Sequence, residues 1–158
     1  MIAAVDTNIL LDILIPGAVH SSSSKALLEA AYAQGAMIIS EVVYAELAAQ
    51  FPLQAELDRF LHGTGIRLEQ SGLEALHSAS EAWLTYNSRR SPGLQCSSCG
   101  RVQAVNCSAC GAPIRLRQHI LADFLIGGHA LKQGDRLLTR DRGYFRAYFP
   151  GLKLQEQL

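Results

Sequence analysis

Met1-Ile2-Ala3-Ala4-Val5-Asp6-Thr7-Asn8, the first eight residues, decide the fold. Ile2 to Val5 run apolar without a break, two of them β-branched, and stop at an acid. An unbroken apolar run of that length reads as a strand covered on both faces, the pattern of a parallel sheet. The aspartate directly after it then stands at the sheet's carboxyl edge, where open α/β folds place their ligands. Thr7 and Asn8 carry side chains able to orient that carboxylate or cap the next segment. A solvated turn aspartate is the plain alternative. Three further acids in comparable apolar settings weigh against it.

Outward from that stretch, Asn8 to Ile15 is apolar at helical spacing and ends at Pro16-Gly17. Ser21 to Ser24 offer N-caps for a helix over Lys25 to Ala33, closed by Gly35. Met37-Ile38-Ile39 reads as a second buried strand, followed by Ser40 as cap of a helix from Glu41 to about Phe51. An amphipathic piece, Leu53 to His62, precedes a third strand, Ile66-Arg67-Leu68. Ser71-Gly72-Leu73-Glu74 is a capping box opening a long helix, with Leu73, Leu76, Trp83 and Leu84 expected on its inner side. Helix resumes near Arg117 and runs to Gln133, where Gly127-Gly128 suggests close packing against another backbone. Arg136-Leu137-Leu138-Thr139 is a fourth strand and Leu152-Lys153-Leu154 a short fifth. Tyr144, Phe145, Tyr148, Phe149 and Trp83 read as core. Strands alternating with helices predict an α/β fold, a parallel sheet covered on both sides.

The chain has 158 residues, about one domain and long enough to bury a core. No apolar run approaches the roughly 18 residues of a bilayer span, and no basic region precedes the first apolar run as in a signal peptide. A soluble, cytoplasmic protein with no membrane partner is expected. Residues 1–81 hold ten acids against three bases, and residues 82–158 hold four against eleven. That asymmetry suits one face for metal and another for a polyanion, although solvated surface charge can also produce it.

Four acids carry the chemistry. Glu46 lies in Val42-Val43-Tyr44-Ala45-Glu46-Leu47-Ala48-Ala49, a helix apolar almost all round, where an unpaired carboxylate would cost several kcal/mol. It therefore needs a cation or a metal; Glu41 faces another side and is expected to help only the helix N-terminus. Asp123 repeats the problem in Ile120-Leu121-Ala122-Asp123-Phe124-Leu125-Ile126, with an ion pair to His119 as the alternative. Asp141 follows a strand as Asp6 does, with pairing to Arg140 or Arg142 as its alternative. If Asp6, Glu46, Asp123 and Asp141 converge, their repulsion calls for divalent cations, and oxygen-only ligation favours Mg²⁺ or Mn²⁺. Such a metal activates water and stabilises a leaving oxygen, which fits phosphodiester hydrolysis.

At these residues the chain resembles the PIN-domain family, most closely its VapC-like toxins of bacterial and archaeal toxin–antitoxin pairs. The likeness rests on Val5-Asp6-Thr7-Asn8, on Ser40-Glu41-Val42-Val43-Tyr44-Ala45-Glu46-Leu47, on Ala122-Asp123-Phe124-Leu125-Ile126-Gly127 and on Leu138-Thr139-Arg140-Asp141-Arg142-Gly143-Tyr144-Phe145. It implies a three-layer fold whose parallel sheet has order 3-2-1-4-5, with metal at its acidic carboxyl edge. It implies a Mg²⁺- or Mn²⁺-dependent endoribonuclease leaving a 5′-phosphate, with RNA as substrate, an antitoxin protein as partner and a homodimer as assembly. Asp6, Glu46, Asp123 and Asp141 match the metal-binding catalytic acids, and Asn8 and Thr139 the supporting polar positions. Gly143 stands where some relatives carry a further acid, so a second metal site would lack a ligand.

Cys96-Ser97-Ser98-Cys99-Gly100 and Cys107-Ser108-Ala109-Cys110-Gly111 are two copies of C-x-x-C-G. Four thiolates suit a closed structural Zn²⁺ site; two disulfides or a redox pair are the alternatives, disfavoured by a reducing compartment and by the duplication. The expected organisation is a nuclease domain from residues 1–90 and 117–158 and an inserted, zinc-ribbon-like loop at 91–116. Arg89, Arg90, Arg101, Arg115 and Arg117 lie in a span free of acids from Glu81 to Asp123. They are candidates for RNA phosphates; a loop that staples a connection or meets another protein is the alternative. A processing or quality-control nuclease that is not a toxin, and a non-catalytic RNA- or protein-binding module, are the competing functions.

Overall fold

A computed structural model describes residues 1–89, 93–95, 101–114 and 121–155. The central strand β1 (Ile2–Val5) pairs in parallel with β2 (Ala36–Ile39) on one side and β6 (Arg136–Leu138) on the other. Ala3, Ala4 and Val5 are buried, as a strand flanked and covered on both faces requires. Beyond β2 lies β3 (Ile66–Leu68), and beyond β6 lies β7 (Leu154–Gln155), all parallel. The order β3-β2-β1-β6-β7 is the expected 3-2-1-4-5 when the strands of this sheet are counted alone. The last strand sits two residues later than its apolar pattern suggested. A separate antiparallel pair, β4 (Leu94–Gln95) with β5 (Val102–Gln103), belongs to the cysteine-bearing segment.

Helices cover both faces of the sheet. In the first group α1 (Thr7–Leu14) packs against both α2 (Ser21–Gln34) and α3 (Glu41–Ala48), and α3 against α4 (Gln54–Thr64). A second group is α5 (Leu73–Arg89), α6 (Leu121–Gln133) and α7 (Arg142–Tyr148). The α2 helix starts at Ser21, so its serines lie inside the first turn and do not cap it. Ser40 does cap α3, accepting from the Val43 amide.

The inner side of α5 differs from expectation. Leu73 and Leu84 are 85% and 65% exposed and Leu76 is also exposed, whereas Ala75, Ala79 and Ala82 are buried. The cause lies across the interface in α6. A Cβ at Gly128 would stand 2.4 Å from the Ala75 carbonyl oxygen and 3.0 Å from the Ala79 Cβ, so the two backbones meet where no leucine fits. Trp83 and Tyr86 flank that seam and surround Phe124, which is fully buried. Phe145 and Phe149 are buried, with Tyr144 and Tyr148 packed beside them.

Candidate functional site

The register of β1 against β6 builds the site. Val5 pairs with Leu138, and the Asp6 amide continues the ladder by donating to the Leu138 carbonyl at 3.0 Å. The next residue of each strand, Asp6 and Thr139, is therefore brought to the same carboxyl edge, at the point where the chain's crossovers change direction. Thr139 Oγ1 donates to Asp6 Oδ2 at 2.5 Å and accepts from the Asp141 amide at 3.0 Å and Asn8 Nδ2 at 3.2 Å. One donor and two lone pairs are all a hydroxyl has, and here all are engaged. Asn8 Nδ2 also donates to Asp6 Oδ2 at 2.6 Å. Asp141, besides placing its amide on Thr139, accepts the Tyr144 amide at Oδ1 and so caps α7.

Glu46 projects from α3, and the Thr7 hydroxyl donates to its Oε2. The structure corrects the expectation that Glu46 is enclosed by apolar neighbours. Of α3, Val43 and Leu47 are the buried residues, while Ala45, Glu46 and Ala48 are exposed. Alanines flanking an acid mark an open helix face here, and desolvation is not what demands a partner for Glu46. Glu41 also differs: its carboxylate accepts from the amide and hydroxyl of Ser71, both at 3.0 Å, tying α3 to the approach to α5. Ser71 is thus engaged by Glu41.

The electrostatics bring the four acids together. Asp6 is buried, and that burial pushes its carboxyl above the usual range; the Thr139 hydroxyl opposes the shift and the Glu46 charge adds to it. Asp123, half-buried in the first turn of α6, is pushed up to about 6 by burial and then by the charges of Asp6, Glu46 and Asp141. Residues after β1, on α3 and after β6 therefore all act on Asp123 of α6, in one region of negative potential. The Tyr144 hydroxyl is buried without a hydrogen-bond partner among the described residues, and burial followed by the Asp123 charge raises it well above a normal phenol. An orphaned hydroxyl beside like-charged carboxylates fits a pocket completed by a cation and its water. Among the described residues, however, no three acidic, histidine or cysteine side chains stand close enough together to hold one ion as they are. The donor chemistry fits a hard dication; a ligating arrangement would require the carboxylates to draw inward.

Asp12, which the sequence reading did not single out, completes the surroundings. Asp12, buried in α1, accepts from Arg140 Nε at 2.9 Å and from Ser24 Oγ at 2.6 Å. Arg140 therefore pairs with Asp12 and does not neutralise its sequence neighbour Asp141. An acid in the otherwise apolar run Asn8-Ile9-Leu10-Leu11-Asp12-Ile13-Leu14 was the available signal. Its partner lies at the far end of the chain, where no local pattern points.

No protein-family model matches the sequence, and no curated protein matches it. Solved structures do. VapBC2 from Rickettsia felis, bound to a DNA fragment from its promoter, matches at TM-score 0.64 and 21% identity over 100% of each chain. VapBC-1 from nontypeable Haemophilus influenzae matches at 0.61 and 18% over 99% of this chain and 98% of that one. The fold is PIN-like. FitAcB from Neisseria gonorrhoeae has a similar chain too, at 0.56 and 17% over 99% of this chain and 97% of that one.

The cysteine segment departs from this PIN-like sheet as a short hairpin. Cys96 and Cys99 lie outside the described residues, as do Arg90, Arg115, Arg117 and His119. Cys107 and Cys110 are described and form no disulfide with each other. The amides of Ala109 and Cys110, with the Cys110 thiol, hold the Cys107 thiol below its ordinary value. Gly111 takes φ +70° and donates to the Cys107 carbonyl at 2.8 Å, closing the turn. Two amides aimed at one sulfur favour a thiolate there. Arg89, at the end of α5, and Arg101 are exposed. Among the described residues no helix is long and apolar enough to cross a membrane.

Proposed function

We propose that this chain is a Mg²⁺- or Mn²⁺-dependent endoribonuclease of the VapC-like toxin type. The observation that carries the reading is the sheet edge where the Thr139 hydroxyl joins Asp6 to the Asp141 amide and Thr7 holds Glu46, with the Asp123 carboxyl raised by burial and by the charges of all three acids. Four carboxylates from four separate elements sharing one edge are costly unless a dication sits among them. Asp6, Glu46, Asp123 and Asp141 would hold it. A metal bound there supplies Lewis acidity and a water of lowered pKa, which suits in-line attack on a phosphodiester.

The chain's own residues prepare that pocket. Thr139 and Asn8 fix Asp6 Oδ2, Thr7 fixes one oxygen of Glu46, and Asp141 is held by the first turn of α7. Arg89 and Arg101, with Arg90, Arg115 and Arg117, supply positive charge for the RNA backbone. Cys96, Cys99, Cys107 and Cys110 bind a structural Zn²⁺, a reading supported by the amide-to-sulfur turn at Cys107. The likeness to VapBC and FitAcB chains supports an antitoxin protein as partner; a homodimer and a cytoplasmic location are what the family resemblance implies.

A non-catalytic RNA- or protein-binding module is the second reading, and the separation of the acids is what favours it. Purified protein incubated with structured and unstructured RNA in Mn²⁺ separates the two. Cleavage by the wild type that is lost in Asp6→Asn supports the nuclease. Retained RNA binding without cleavage in Mg²⁺ or Mn²⁺ supports the module. Lack of an antitoxin gene beside the coding sequence, with cleavage intact, would make it a processing or quality-control nuclease.

A further inference from the structure

We propose that Asp12 and Arg140 are positioning residues for the acid pocket, their ion pair fixing Asn8 and through it the Asp6 carboxylate. This rests on the metal-binding reading of that pocket. Arg140 makes three separate contacts with α1. Its Nε donates to Asp12 Oδ2 at 2.9 Å, its Nη2 to the Asn8 carbonyl at 3.4 Å, and its backbone amide to Asn8 Oδ1 at 3.2 Å. The Asp12 side chain is 7% exposed and that of Arg140 34%, so the pair is shielded on its acid side and its partners are fixed by packing.

The consequence for Asn8 is directional. Its Oδ1 is taken by the Arg140 amide, so its Nδ2 is the end left to face Asp6 Oδ2 and Thr139 Oγ1. A flipped amide would set Oδ1 against the Asp6 carboxylate and Nδ2 against the Arg140 N–H, losing both bonds. The pair also binds the segment carrying Thr139 and Asp141 to the helix that follows Asp6. Two strand-end acids on different elements are thereby held at a set separation. Ser24 Oγ donates to the same Asp12 oxygen from α2, at 2.6 Å. It buttresses Asp12 from a second helix.

Arg140→Ala, Arg140→Lys, Asp12→Asn and, as a control outside the network, Ile66→Val, each in the full chain, provide the test. Mn²⁺ binding without RNA is measured by calorimetry beside thermal melting, so the readout does not depend on cleavage. The expected result is a loss of Mn²⁺ affinity of about tenfold for Arg140→Ala and Asp12→Asn. Arg140→Lys, which keeps a charge for Asp12, should recover part of that loss. Ile66→Val, in the buried first residue of β3 and outside this network, should melt earlier yet bind Mn²⁺ within about twofold of wild type. If Arg140→Ala fails to fold, Arg140→Lys and Asp12→Asn still give the comparison. Unchanged affinity in folded Asp12→Asn and Arg140→Lys overturns the positioning role. So does affinity that merely follows melting temperature through the series, Ile66→Val included. Wild type that binds no Mn²⁺ at all overturns the metal pocket itself, a different and recognisable failure.

Discussion

Thr139 Oγ1 lies 2.5 Å from Asp6 Oδ2, and the same oxygen receives the Asp141 amide at 3.0 Å. A single hydroxyl thus links the two strand-end acids, and it is buried. Thr139→Val keeps the shape but strands Asp6, Asn8 and the Asp141 amide. Unsatisfied buried groups of this kind cost about 1–3 kcal/mol. Urea unfolding should show that loss, and Thr139→Ser should recover most of it. The hydroxyl also opposes the upward shift of the Asp6 carboxyl. Its removal should therefore move the acid limb of Mn²⁺ binding to higher pH. A valine variant as stable as wild type, with an unmoved acid limb, would contradict this account.

Asp123 gives the metal-free protein a pH dependence of definite sign. Its folded carboxyl, at about 6, stands above the ordinary value of 3.8. The folded chain consequently retains a proton that the unfolded chain has released, and stability from this residue is lost as pH climbs toward and through 6. Asp6, also raised, acts in the same direction. Melting temperature in EDTA should fall between about pH 4.5 and 7.5, and Asp123→Asn should lessen the fall. Mn²⁺ at the upper pH should raise the wild-type melting temperature more than that of the variant. An asparagine variant that loses as much as wild type would remove Asp123 from the shared pocket.

Gly128 sets the distance between α5 and α6. Its missing Cβ would come within 2.4 Å of the Ala75 carbonyl, a backbone atom that cannot swing aside. Gly128→Ala should destabilise the protein by roughly 1–3 kcal/mol, the usual cost of overpacking a close contact. Leu84→Gln, on the exposed side of α5, should change stability by less than about 0.5 kcal/mol. Paired denaturation curves check both. Equal losses would restore the leucine side as the inner one.

The same helix shows where reading the chain succeeds and where it stops. Apolar residues at Ile2–Val5, Met37-Ile38-Ile39 and Leu137-Leu138 announce strands because a strand covered on both faces leaves little room for polar residues. The acid after Val5 and the threonine after Leu138 follow directly from those strand ends. On α5, hydrophobicity favours leucine over alanine, yet packing distance favours alanine, and that distance is set by Gly128 on another element. On α3, alanines beside Glu46 look like core but face outward. The pairing of Asp12 with Arg140 lies beyond any local pattern, since it depends on α1 and the end of β6 meeting in space.

Cys107 provides the test of the loop's metal. Amides of Ala109 and Cys110 hold its thiol below the ordinary range, so a thiolate is favoured before any ion arrives. Elemental analysis of the purified protein should find about one Zn²⁺ per chain, all four ligand positions being cysteine. Cys107→Ser should remove most of that zinc, because the remaining three thiolates leave the tetrahedron open. The acid pocket draws on separate elements, so Mn²⁺ binding there should survive the substitution. Zinc at wild-type level in Cys107→Ser would place the ion elsewhere. Zinc absent from the wild type, with all four thiols open to alkylation, would leave the Cys107 turn closed by its own hydrogen bond alone.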